Sequence, residues 1–89
     1  MELGRVRGSV WCTKKSGELS GCKLLLVEGW DPLAQQDGGK LRVCADIIGA
    51  GVGEGVLIAT GTAARRAIGA EKAPVDAAVV AIIDGLECP

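Results

Sequence analysis

The stretch Asp46-Ile47-Ile48-Gly49-Ala50-Gly51-Val52-Gly53-Glu54-Gly55 limits the fold of this chain more than any other, because glycine occupies positions 49, 51, 53 and 55. The residues just after the glycines decide how they are used. A phosphate-binding glycine loop opens into a helix, whose N-terminus holds the anion. This one opens into Val56-Leu57-Ile58-Ala59-Thr60, a β-branched and apolar run that reads as a strand. With Gly49 and Gly51 placed on G-x-G-x-x-G, the third glycine position falls on Glu54, and no Gly-Lys-Ser/Thr comes after it. No nucleotide site is expected. The glycines suit a strand-to-strand loop that needs positive φ or a very close approach of backbones.

A chain of 89 residues is expected to form one domain, spanning 1–89. Such a domain buries only roughly 60–65% of its unfolded surface and is marginal alone. Its 14 glycines raise the entropic cost of folding, yet 48% of the residues are hydrophobic. That combination favours an oligomer, in which contacts between copies bury what one small core cannot.

Ten basic and eleven acidic residues give a net charge of −1, so no electrostatic case exists for nucleic acid or an anionic membrane. Trp11 and Trp30 are the only aromatic residues, too few for the stacking platforms of a single-strand-binding barrel. The apolar runs Leu24–Val27 and Ala77–Ile83 are too short to span a bilayer. Cysteines stand at 12, 22, 44 and 88, with no C-x-x-C and no histidine, so neither a metal site nor a cofactor is expected. The even count permits disulfides. The start Met1–Arg5 lacks the apolar stretch of a signal peptide, and reduced thiols in a cytosolic protein are the expectation.

Periodicity places five strands. In Leu3–Cys12, Val6, Gly8 and Val10 alternate with Arg5, Arg7 and Ser9. Thr13–Glu18 reads as a turn. Cys22–Val27 is the second strand, with Leu24-Leu25-Leu26-Val27 suggesting burial on both faces. Glu28–Lys40, punctuated by Asp31-Pro32 and Asp37-Gly38-Gly39, reads as a long irregular hairpin loop. Leu41–Ile47, Val56–Thr60 and Val75–Ile83 complete the strands. Thr62–Gly69 reads as a short helix with Gly69 as its stop and Thr62 or Thr60 as its cap. Short strands at close spacing with one helix predict a mainly β fold, a small five-stranded, partly closed barrel.

The polar residues show no catalytic set. Asp46, Asp76 and Asp84 lie near strand ends, where carboxylates cap turns and accept backbone N–H bonds; no nucleophile–base partners accompany them. Ser9, Ser16 and Ser20 lack a G-x-S-x-G elbow and any histidine, which excludes serine hydrolysis. Lys14, Lys15 and Lys23 read as a solvated turn and strand edge. Arg65 and Arg66 suit either solvent or a neighbouring subunit's carboxylate or carbonyl groups.

Four segments, in order, then carry a resemblance. They are Gly4–Val10 with Thr13-Lys14, Leu19–Val27, Asp46–Leu57 running into Gly61–Arg65, and Pro74–Asp84. D-x-x-G-A-G-x-G-E, then G-[ST]-x-A-R, then P-V-D-A-A-V-V is a specific combination, and the sequence resembles the EutN/CcmL family of pentameric vertex proteins of bacterial microcompartment shells. Thr62 where serine is common, Ala81 where glycine is common, and Arg66 beside Arg65 are minor departures.

The resemblance implies a barrel similar to the oligonucleotide-binding barrel, assembled as a homopentamer that caps shell vertices among hexameric tiles. The protein would be no enzyme, and would reside in a cytoplasmic microcompartment shell without nucleic acid or membrane partners. The resemblance also suggests that Gly49, Ala50, Gly51 and Val52 line a narrow central pore, with Glu54 adding charge nearby. Gly61, Thr62, Ala64 and Arg65 are the implied subunit or tile contacts, supported by Thr13 and Lys14 at the outer rim. Two alternatives stand beside it: an oligonucleotide-binding module on the same barrel, and a small enzyme or ligand-binding ring using Asp46, Asp76 or Asp84.

Overall fold

A computed structural model describes residues 1–13, 15, 17–19, 21–34, 36–70 and 72–87. The expected strands form a closed barrel in the order β1-β2-β3-β5-β4. These are β1 (Glu2–Val10), β2 (Lys23–Asp31), β3 (Gln36–Asp46), β4 (Gly55–Thr60) and β5 (Ala77–Ile82). A turn of 3-10 helix, Gly17–Leu19, lies between β1 and β2, and one α-helix, α1 (Gly61–Ala67), comes after β4. All neighbouring strands run antiparallel except β3 and β5, which pair in parallel over Ala45–Asp46 and Ala78–Val79. A parallel pair needs a crossover. The path through the glycine loop, β4 and α1 supplies it.

Two apolar clusters hold the barrel. Val6, Leu25, Val27, Cys44, Ala50, Val56, Ile58, Ala77 and Val79 fill the interior. A second cluster, Ala45, Ala64, Ala73, Val75 and Ala78, lies under α1, with Leu19, Leu24 and Ile68 packed against it. Alanine dominates there because the helix rests close against the outside of β3 and β5. Leu24 and Leu26 are half-buried whereas Leu25 and Val27 are buried, so β2 alternates and is not sealed on both faces.

The expected long loop at Glu28–Lys40 is not a loop. β2 runs on to Asp31 and β3 already begins at Gln36. Close approach explains the misleading composition. The register of the two strands is irregular between Glu28 and Trp30, and a Cβ on Gly39 would lie 2.6 Å from the Gly29 Cα. Glycine is required here because two backbones touch. Asp31 ends β2 by accepting the N–H groups of Leu33 and Ala34 at 3.0 and 3.3 Å.

Other boundaries move for similar local reasons. β1 stops at Val10, before Cys12. β5 starts at Ala77, because the Val75 carbonyl is taken by the Arg65 guanidinium instead of a ladder partner. The helix starts one residue earlier than Thr62. Thr60 is the N-cap, without a side-chain cap bond, and the Gly61 N–H donates to the Asp76 carbonyl at 2.9 Å. Gly69 stops the helix in the left-handed conformation.

Candidate functional site

The glycine loop is built around one buried carboxylate. Asp46, 4% exposed, accepts the N–H groups of Ile48 (2.9 Å), Gly49 (3.1 Å to Oδ2) and Ala50 (3.0 Å). Such convergence is charge-assisted and needs the chain to curl tightly. Gly49 and Gly53 supply the positive φ, at 96° and 91°. Glu54 adds a second clasp: its Oε1 accepts the Gly51 N–H at 2.6 Å while its own N–H donates to the Gly51 carbonyl at 3.2 Å.

Four further hydrogen bonds fix the loop to the barrel. The Gly53 N–H donates to the Val6 carbonyl (2.8 Å), and the Val6 N–H donates to the Glu54 carbonyl (3.0 Å). Arg5 Nη1 donates to the Gly53 carbonyl at 3.0 Å while its guanidinium lies 4.5 Å over the Trp30 ring. Lys23 Nζ donates to the Ala50 carbonyl at 3.3 Å. The loop is therefore tied down at several points, and Ile47, Ile48, Gly49, Gly51, Val52, Gly53 and Glu54 are its exposed residues.

Ala50 is 0% exposed and belongs to the barrel interior, so its methyl group faces this subunit's own core. Its backbone supplies one N–H to Asp46 and one carbonyl to Lys23. Ala64, also 0% exposed, packs in the cluster under α1.

The remaining contact candidates lie on the surface. Gly61 and Thr62 are exposed and Arg65 is half-buried. Arg65 Nη1 donates to the Val75 carbonyl at 3.1 Å and Nη2 to Thr62 Oγ1 at 3.2 Å, so its guanidinium braces α1 against the entry to β5. Thr13 is exposed, and Lys14 lies outside the described residues, as do Ser16, Ser20 and Cys88.

Asp46, Asp76 and Asp84 do not converge. Asp46 is consumed by backbone N–H groups, and Asp76 and Asp84 are exposed. An open groove of about 820 Å³ beside the β2–β3 hairpin is lined by Met1, Leu3, Trp30, Pro32, Leu33 and Leu86 among others, and by none of these three aspartates. Among the described residues no three histidine, cysteine, aspartate or glutamate side chains are grouped to hold a metal.

Sequence periodicity missed an apolar exterior. Leu41 (57% exposed) and Val43 (46%) point outward from β3, and Ile47, Ile48 and Val52 continue the exposed apolar surface into the loop. Over residues 36–44, β3 pairs with β2 on one side, and β5 joins the other side only at Ala45. The signal was the alternation Leu41-Arg42-Val43-Cys44, with two apolar residues on the face opposite the buried Cys44.

Comparison with known proteins assigns this arrangement of barrel and loop. Residues 1–84 match the family described as ethanolamine utilisation protein EutN/carboxysome. The chain belongs to the EutN/CcmL family. It is 49% identical over 88 residues to the carboxysome shell vertex protein CcmL of Nostoc sp., covering 94% of this chain and 83% of the relative. It is 44% identical over 84 residues to the microcompartment shell vertex protein EutN of Escherichia coli, covering 94% and 87%. Among solved structures, the pentameric microcompartment shell protein GrpN from Rhodospirillum rubrum superposes with a TM-score of 0.88 at 39% identity, covering all of both chains. The EutN/CcmL relatives named as vertex proteins are structural, and the five-stranded barrel with one short helix is the fold of this member too.

Proposed function

We propose that this EutN/CcmL-family chain works as a single domain that assembles five copies around a rotational axis and caps the vertices of a microcompartment shell. The observation that carries this is the full-length likeness to a pentameric shell protein, with every strand of the barrel retained. The geometry gives the reason for such a unit. A flat sheet of hexameric tiles cannot close, and a head-to-tail interface whose rotation closes at five supplies the corner.

The surface fits that assignment. The open side of β3 and the outward Leu41 and Val43 are apolar area that a neighbouring copy would cover. The glycine loop lies nearest the five-fold axis. Gly49, Gly51 and Val52 form the rim of a narrow pore and Glu54 its ring of charge, with Ala50 anchoring the loop from inside. Gly61, Thr62 and Arg65 face a neighbouring subunit or a hexameric tile, with Thr13 and Lys14 at the outer rim.

The shell is cytoplasmic, and no nucleic acid takes part: Trp30 is covered by Arg5, and Trp11, 91% exposed, is the only open aromatic face. No helix among the described residues is long and apolar enough to cross a membrane.

Co-expression with hexameric shell tiles tests the role. Closed polyhedral shells are expected only when this chain is present, with open or tubular sheets in its absence. Equal closure with and without it would contradict the assignment.

A further inference from the structure

Cys12 and Cys22 line the same small cavity at the closed end of the β1–β2 hairpin. The β1–β2 ladder pairs Gly8 with Leu26, Ser9 with Leu25 and Val10 with Leu24. Carried two residues further, that register sets Cys12 opposite Cys22. Both line a cavity of about 310 Å³ together with Trp11, Lys15 and Lys23. Cys12 and Cys22 lie two residues beyond the last ladder pair, Val10 and Leu24, where facing Cα atoms are ~4.5–5.5 Å apart, a spacing within the span a disulfide bridges. Cys12 is exposed and Cys22 half-buried, so reagents reach them, and Lys15 and Lys23 are among the residues lining their cavity.

We propose that Cys12 and Cys22 are a dithiol site that exchanges with low-molecular-weight disulfides of the glutathione class to give a cross-strand bridge. The Cys12 thiolate attacks one sulfur of the small disulfide, forming a mixed disulfide and expelling one small thiolate. The Cys22 thiolate then attacks the Cys12 sulfur, closes the bridge and expels the second small thiolate. Two cysteine protons end on two small thiols, and the small disulfide is the species reduced. The bridge closes the segment 13–21 and sits one residue from Lys23, whose ammonium holds the Ala50 carbonyl of the glycine loop.

Cys44 provides an internal control. It is buried in the barrel, and burial pushes its thiol up to about 11, so it stays protonated and shielded.

The full chain is equilibrated with oxidised and reduced glutathione, its free thiols are blocked with N-ethylmaleimide, and unreduced tryptic peptides are mapped by mass spectrometry. The expected product joins the peptides spanning 8–14 and 16–23, with Cys44 labelled only after unfolding. Cys12→Ser and Cys22→Ser should each abolish the joined pair and leave the surviving thiol as a glutathione adduct. Recovery of Cys12 and Cys22 in the wild type as separate adducts, as links to other cysteines, or as thiols that never oxidise would overturn the proposal.

Discussion

The glycine loop between β3 and β4 and the hairpin of β2 and β3 are both glycine-rich, and they use glycine for different ends. In the loop, Gly49 and Gly53 let the backbone curl so that N–H groups converge on Asp46 and the chain ties back to Val6. In the hairpin, Gly29 and Gly39 remove side chains so that two strands press together at contact distance. The loop is held by polar bonds and leaves Gly51 and Val52 outside; the hairpin is held by packing. Replacing a loop glycine that faces open space should therefore report on contacts between copies. Replacing a hairpin glycine should report on folding within one.

Gly51→Val draws the contrast most sharply. Gly51 lacks positive φ, and a Cβ there would meet only the movable Glu54 Oε1, at 3.3 Å. The subunit should keep its circular dichroism spectrum while ring-sized material disappears from size exclusion with light scattering. A normal ring would remove the loop from the five-fold axis.

Next in size is Asp46→Ala, which strips the acceptor from three N–H groups, one of them on the buried Ala50. Loss of charge-assisted bonds and orphaning of a buried donor should cost about 3–4 kcal/mol in urea unfolding. A loss under about 1 kcal/mol would show that the loop does not depend on that carboxylate.

Gly39→Ala tests the hairpin half. Its methyl group meets immovable backbone, and overpacking of this kind costs about 2–3 kcal/mol. Gly51→Ala, meeting only a flexible side chain, should leave the melting temperature of the dissociated subunit unchanged. Equal destabilisation by the two alanines would dissolve the contrast.

Much of the fold was legible because polar and apolar residues alternate along β1, and because β4 and β5 are short apolar runs rich in β-branched residues. The helix was legible from its alanines and Gly69. The hairpin was not: Asp31-Pro32 and Asp37-Gly38-Gly39 have turn chemistry, and nothing local says that Gly39 serves a contact with Gly29. The glycine block could be recognised as a strand-to-strand loop, and Asp46 as an acceptor of backbone N–H groups. The inward aim of Ala50 and Ala64 could not, because alanine carries no signal for which side of a close contact it occupies. The apolar exterior of β3 was hidden for a related reason. Alternation identifies a strand, but it would turn Leu41 and Val43 inward, whereas Cys44 faces the core and those two face out, covered only if another chain covers them.

That dependence on a second chain makes the mass of the particle in solution the most direct test. Native mass spectrometry of the purified chain at micromolar concentration should give one dominant species of about 45 kDa, five chains of 9.1 kDa each. A stable 9.1-kDa species that persists as concentration rises would contradict the account, since the exposed Leu41, Val43 and Val52 would then have no partner to cover them.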